Sequence, residues 1–206
     1  MHNKKLFKIT FDNYIKYFFI FILLLLLFQI YKINKKNNFQ IDMVQPVFFF
    51  EEKNFNNALY GNKIHKGFLR IISDYQFIVD LKVVYLYIGI IYIHLKKYEL
   101  AIEYLNNFRS NDFLLQSQAW SLIGDSFVQK KNYKEAIRYY KKSFNYRSNK
   151  FFTPIYIIKA ALIYEQININ NLAISCYNRI LKDFSDSKYC NKAFKNKIRI
   201  QSILIK

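Results

Sequence analysis

A small residue recurs at nearly fixed spacing along this 206-residue chain, and the same kinds of large apolar residue surround it each time. Trp120, Ile123, Gly124 and Phe127 fall at i, i+3, i+4 and i+7, one face of a helix. Ala136, Ile137, Tyr140 and Phe144 do the same after a tight turn at Lys130–Asn132. Two helices that close on each other need small side chains where they approach. Gly124 and Ala136 meet that need, and Trp120, Phe127 and Tyr140 fill the space around them. At an offset of 35, Tyr85, Ile88, Gly89 and Tyr92 repeat the first helix, and Tyr98, Ala101 and Leu105 repeat the second. At an offset of 37, Ile157, Ala160, Ala161 and Tyr164 recur, then Ala173 and Tyr177. Unrelated amphipathic helices have no reason to keep the same small residues at fixed offsets. The pattern predicts an all-α array of stacked helical hairpins spanning about 82–115, 117–150 and 154–187.

The stretch Ala119–Phe144 resembles a tetratricopeptide repeat, whose order of Trp, Leu-Gly, Tyr, Ala and Phe it follows. A weaker copy is expected over 46–81. Pro46 can open its first helix, Gly61-Asn62 breaks it, and a second helix runs from about Ile64 to Tyr75. Gly67 lies 34 residues before Ala101, one repeat length. At the other end, Ser185-Asp186-Ser187 offers caps for a last helix over 187–205. That helix mixes lysines with Ala193, Phe194, Ile198 and Leu204, the solvating end that a solenoid requires.

The N-terminal part has different chemistry. Residues 1–13 form a basic tail with Lys4, Lys5 and Lys8 against Asp12. Tyr17 to Tyr31 then carries no charge, and Lys16 and Lys32 can snorkel, so 14–33 supplies about 20 residues, enough to cross a bilayer. Tyr14, Tyr17 and Tyr31 stand at the two ends, where an interfacial belt belongs. No small-x-small cleavage site follows in Gln29-Ile-Tyr-Lys-Ile-Asn34, so the segment reads as an uncleaved anchor. Residues 34–45 are rich in Lys and Asn and read as a linker. Lysines flank both ends of the anchor, with a small excess before it that favours a cytoplasmic N-terminus and an exported array.

Chemistry-bearing constellations are sparse. His2, His65 and His94 are far apart, and no Gly-rich phosphate loop or Cys-His-Asp cluster occurs. Cys176 and Cys190 have no metal-ligand spacing, and could pair only in an oxidising compartment. The expectation is therefore no catalytic residue, no metal and no cofactor. A net charge of +18 would suit an acidic partner. The basic residues are scattered, however, and come with the Lys, Asn, Ile, Phe and Tyr excess of AT-rich codons. The charge is read as compositional drift before it is read as a nucleic-acid site.

Function is then expected on a surface. In tetratricopeptide arrays the first helices line a concave groove. Those positions here are Val83, Leu86, Ile90 and Ile93, then Gln118, Ser121, Asp125 and Gln129, then Ile155, Ile158, Leu162 and Glu165. Carboxylate-gripping families place Lys and Asn where this chain has Leu86, Ile90, Ser121 and Asp125, so no such clamp is expected. Two readings of the apolar positions stand: they hold a partner segment, or they pack on the N-terminal helices or a neighbouring subunit. The residues Tyr85, Gly89, Tyr92, Ala101, Trp120, Gly124, Phe127, Ala136, Tyr140, Ala161, Tyr164, Ala173 and Tyr177 are expected to pack the repeats.

The order of parts (basic tail, anchor, linker, degenerate pair, three repeats) resembles the bacterial membrane-anchored tetratricopeptide proteins. That group includes the ancillary subunit of the Sec translocon. Lys97-Tyr-Glu-Leu-Ala-Ile-Glu-Tyr-Leu105, Gly124-Asp-Ser-Phe127 and Phe152-Thr-Pro154 carry the likeness, which covers about residues 14–200. It implies a single-pass scaffold in the inner membrane, held in the bilayer through 14–33, with protein partners at the Sec translocon or among envelope chaperones. The alternatives are a basic adaptor for nucleic acid or anionic lipid, and a structural protein that assembles with itself.

Overall fold

The computed structural model describes residues 2–204, with side chains at Tyr14 and from Lys16 onward. The side chains of the expected basic tail, residues 1–13, and Ile205 of the expected capping helix lie outside the described residues. The chain divides into two compact units, Met1–Leu81 and Lys82–Lys206.

The first unit is built on α1 (His2–Glu51), followed by α2 (Phe55–Tyr60) and α3 (Phe68–Tyr75). Helix α1 contains a stretch apolar and long enough to cross a membrane, and none of that window is buried. Phe21, Leu24 and Leu27 are each more than half exposed.

The expected linker over 34–45 is instead helical, and α1 runs straight through it. Two physical reasons account for this. The segment contains neither Gly nor Pro to stop a helix. It also has a tertiary partner. Lys35, Phe39 and Asp42 lie at i, i+4 and i+7, and all three engage α3 or the residue pair that leads into it. The Phe39 and Tyr75 rings meet edge to face at 5.4 Å. Lys35 Nζ donates to the Asp74 carbonyl at 3.3 Å and lies 4.7 Å from the Tyr75 ring centroid. Tyr75 Oη and Lys66 Nζ both donate to Asp42, at 2.7 and 2.8 Å. Pro46 lies inside the helix and is buried, rather than opening a new one.

Helix α1 ends in a turn that also recurs in the second unit. Lys53 is left-handed at φ 58°, and the Asn54 N–H donates back to the Phe49 carbonyl at 2.8 Å. This is the six-to-one closure of a Schellman turn. Lys97 N–H to Tyr92, Asn132 N–H to Phe127 and Ile169 N–H to Tyr164 repeat it, at 2.8, 2.9 and 2.8 Å. The register of the weak first copy follows from this. Ala58, 43 residues before Ala101, occupies the position of Ala101, Ala136 and Ala173, and all four are fully buried. Gly67 does not hold that place. It precedes α3 in extended backbone and belongs to the closed loop 61–67. Gly61 sits there at φ 79°, and a Cβ on it would lie 2.3 Å from the His65 carbonyl oxygen. The copy is therefore an early hairpin cut short at Gly61, with the separate helix α3 after it.

The second unit stacks three hairpins and a last helix. They are α4 (Lys82–His94) with α5 (Tyr98–Asn107), α6 (Phe113–Gln129) with α7 (Tyr133–Asn145), α8 (Thr153–Gln166) with α9 (Asn170–Asp183), and α10 (Cys190–Leu204). Each helix packs on its chain neighbours, and α4 also reaches α6. Helix α6 begins a turn before residue 117. Asp112 caps it, its carboxylate accepting from Leu114 N–H and Leu115 N–H at 2.8 and 3.1 Å. Pro154 lies in the first turn of α8, where its missing N–H costs nothing. Residues 185–189 turn rather than coil, so α10 starts at Cys190. It buries Ala193 and Ile200 and leaves Phe194 and Ile198 half exposed.

Candidate functional site

The repeat residues meet in pairs. A Cβ on Gly124 would come within 2.6 Å of the Tyr140 ring, and one on Gly89 within 2.5 Å of Leu105. Ala161 holds the same place in the third hairpin, where Tyr164 and Tyr177 are buried with it. Around these contacts the aromatics fill space. Trp120 meets Tyr146 edge to face at 5.2 Å, Phe127 stacks on Tyr139 at 5.6 Å, and Tyr92 and Tyr85 both approach Tyr104.

The groove positions differ widely in what they offer. Val83, Gln118, Gln129 and Leu162 are exposed. Leu86, Ile90, Ile93, Asp125, Ile155 and Glu165 are half-buried. Leu86 and Ile93 pack against the cluster of Leu105, Ile123 and Tyr139, so only part of each side chain is free to meet a partner. Ser121 and Ile158 are 2% and 4% exposed and present almost no surface.

Two of the four polar groove positions on α6, Ser121 and Asp125, are tied up internally. Lys159 Nζ, from α8, donates to Asp125 at 2.6 Å and to Ser121 Oγ at 3.0 Å, both on α6. Tyr140 Oη on α7 donates to the other Asp125 oxygen at 2.7 Å. Burial, then the Asp125 charge, raises the Tyr140 hydroxyl far above its ordinary pKa. One step along the array, Arg199 of α10 pairs with Glu165 of α8, and Tyr177 Oη donates to the same carboxylate. Asn196 donates to Tyr177 at 3.1 Å. Burial, then that hydrogen bond to Glu165, raises Tyr177 as well. These clasps link consecutive first helices. Lys159 and Arg199, absent from the sequence reading, each lie 34 residues after their acid. Opposite charges one repeat apart were the signal available for finding them.

Two further features complete the surface of this unit. A cavity of about 600 Å³ opens between the α7–α8 and α9–α10 loops, walled by Phe151, Phe152, Ile155 and Phe184. Cys176 and Cys190 are free, half-buried thiols, and burial pushes Cys176 up. Among the described residues, no group of three or more His, Cys, Asp or Glu is placed to hold a metal ion.

Two family models, both described as "Tetratricopeptide repeat", match residues 83–112 and 117–150. The chain carries tetratricopeptide repeats. Both matches coincide with the α4–α5 and α6–α7 hairpins, and the α8–α9 hairpin repeats their turn and small-residue contacts. The TPR array also has counterparts among solved structures. The crystal structure of the apo form of RapI is 10% identical over 81% of this chain and 64% of that one, with a TM-score of 0.66. A crystal structure of MamA protein is 16% identical over 80% of this chain and 92% of that one, with a TM-score of 0.58. The chain thus spans about 64% of the length of RapI, and at these identities the likeness is one of fold. No curated protein sequence matches the chain.

Proposed function

We propose that this protein is a single-pass membrane scaffold whose TPR array binds protein partners, with the Sec translocon or envelope chaperones as the partner class. The observation that carries it is the pairing of an unburied apolar span on α1 with a repeat array built for protein–protein contact. A long apolar helix left uncovered by its own chain is stable in a bilayer and a liability in water. The array contributes apolar surface at Val83, Ile90 and Leu162. Its acids Asp125 and Glu165 are neutralised by Lys159 and Arg199, so the groove selects by shape and apolar contact more than by charge. The N-terminus is cytoplasmic and the array exported. The protein acts by holding a partner, without chemistry of its own.

Site-specific photocrosslinkers at Leu86 and Leu162 test this in membranes. Leu162 is the better probe than Ile158, which is buried. Adducts to a membrane-protein partner or a translocating chain support the reading. Adducts only to a second copy of this chain replace it with self-assembly. A reporter fused after Lys206 fixes the side on which the array lies. Deleting residues 14–33 releases the chain from the membrane, and a product that stays bound removes the anchor.

A further inference from the structure

The α3 helix is directed at the membrane-spanning end of α1, and its contacts give the direction. Lys66, before α3, pairs with Asp42 at 2.8 Å. Tyr75, at its end, meets Phe39, and the Asp74 carbonyl meets Lys35. Beyond Tyr75, Ile78, Val79 and Asp80 border a cavity of about 390 Å³ whose other wall is Lys32, Lys36, Phe39 and Gln40 of α1. Lys66 and Tyr75 converge on Asp42, and the residues that follow, 78–80, reach back along α1 to Lys32 and Lys36. The loop after α3 therefore lies beside the first charged residues that follow the uncharged run ending at Tyr31.

The contents of that loop are unusual for water. Phe77 is 90% exposed, among the most exposed large apolar side chains described. Lys32 and Lys36, one helical turn apart, line the cavity and are exposed, while Lys35 on the same side of α1 is engaged by the Asp74 carbonyl and the Tyr75 ring. At about 1.5 Å per residue, Lys32 to Lys36 covers about 6 Å of α1. A bilayer's polar headgroup layer is of similar thickness, about 5–8 Å on each side of the hydrocarbon.

We propose that residues 76–80 form a second membrane contact, with Phe77 inserted at the interface and Lys32 and Lys36 holding the phosphates of anionic lipid headgroups in the adjoining cavity. This rests on the reading of α1 as a membrane span. An exposed apolar ring beside the headgroups gains by burying its area at the headgroup–acyl boundary, as the Trp, Phe and Leu side chains of interfacial helices do. Lysines there gain from anionic lipid, and the apolar wall of Phe39, Ile78 and Val79 suits the glycerol and upper acyl region. The contact fixes how far the α1–α3 elbow stands off the bilayer.

The test uses the full chain reconstituted into vesicles of phosphatidylcholine, with and without phosphatidylglycerol. Phe77→Trp adds a fluorophore at an exposed position that no core contact needs, and the signal of Trp120 is subtracted with the parent protein. Lipids brominated near the headgroup quench the introduced indole more than lipids brominated deep in the chain. Phosphatidylglycerol raises the docked-to-undocked ratio by roughly fivefold per lysine, the attraction of one basic residue to an anionic surface. Lys32→Gln with Lys36→Gln removes that rise. Resistance of the same sample to alkaline extraction reports the span separately. An introduced indole that stays unquenched in an extraction-resistant chain overturns this inference and leaves the anchor standing. Quenching that ignores phosphatidylglycerol overturns the headgroup site. Extraction of the chain overturns the anchor and this inference together.

Discussion

Tyr140 and Asp125, 15 residues apart on the two helices of one hairpin, share a 2.7 Å hydrogen bond, and Lys159 of the next hairpin closes on the same carboxylate at 2.6 Å. The bond within the hairpin and the ion pair between hairpins thus meet at one side chain. Asp125 and Lys159 are each about one-third exposed, so solvent screens the pair and its net worth is about 1 kcal/mol. Asp125→Asn weakens the pair, and Tyr140→Phe removes the hydroxyl donor while keeping the ring. Each lowers the stability of residues 82–206 by about 1 kcal/mol in urea unfolding. A double variant that loses the plain sum would show that the two contacts act independently, against the shared-carboxylate arrangement.

Gly124 is a packing position, and the size of its replacement decides the outcome. A methyl there meets the buried Tyr140 ring at 2.6 Å, while the helix gains up to about 1 kcal/mol of propensity on losing a glycine. Ala161 holds the same place in the α8–α9 hairpin, so a hairpin can open enough for one methyl. Gly124→Ala therefore changes stability by less than about 1 kcal/mol. Gly124→Leu forces the helices apart and costs about 1–3 kcal/mol or more. Equal melting temperatures for Gly124→Leu and the parent protein would contradict the contact.

Much of the array was legible in the sequence because repetition multiplies a weak signal. One Gly opposite one Tyr says little, but Gly89, Gly124 and Ala161 at matching offsets specify a hairpin stack. The turn at Lys130–Asn132 was visible as the break between two apolar helical faces. The segment 34–45 misleads for the opposite reason. Its Lys and Asn content resembles a linker, and only the tertiary partners of Lys35, Phe39 and Asp42 make it a packed helix. Gly67 matched Ala101 by spacing alone, whereas the hydrogen-bonded turn at Lys53 sets the register at Ala58. The positions expected to line a groove came from the resemblance and fall on α4, α6 and α8, but the burial of Ser121 and Ile158 and the claim of Lys159 on Asp125 depend on neighbouring hairpins.

The recurring turn carries strain that a substitution can relieve. Lys53, Lys96, Lys131 and Asn168 all adopt left-handed backbone at φ 57–60°. For a residue with a Cβ that conformation costs about 1–2 kcal/mol, and glycine avoids it at the expense of greater freedom in the unfolded chain. Lys131→Gly therefore raises stability by about 0.5–1 kcal/mol net. Lys131→Val, branched at Cβ, lowers it. A melt that ranks valine above glycine would show that the turn is not held left-handed in solution.

The junction of α1 and α3 should respond to pH at both extremes, through different groups. Burial pushes Asp42 up, but hydrogen bonds from Lys66 and Tyr75 outweigh it and leave the carboxyl below its ordinary 3.8. Asp74 is lowered likewise, with Lys66 overcoming burial. A carboxyl lowered by folding stabilises the fold above its unfolded value and loses that contribution as pH falls through the folded one. The acid limb therefore lies below pH 3.8. Tyr75 has the opposite sign. Burial, then the Asp42 hydrogen bond, pushes it up to about 12 from 10.0. The folded state holds that proton more tightly, so its contribution is complete below pH 10 and is lost between 10 and about 12. The δ1-methyl resonance of buried Ile71, followed in the full chain in nanodiscs, reports the junction. It should keep its folded position between these limits and move toward its random-coil value outside them. Tyr75→Phe removes the alkaline limb and only weakens the acid one, which keeps the Lys66 contacts to Asp42 and Asp74, whereas Asp42→Asn weakens both, because its carboxylate is also the acceptor for Tyr75. A resonance that moves at high pH equally in Tyr75→Phe and in the parent would assign the alkaline change to another group.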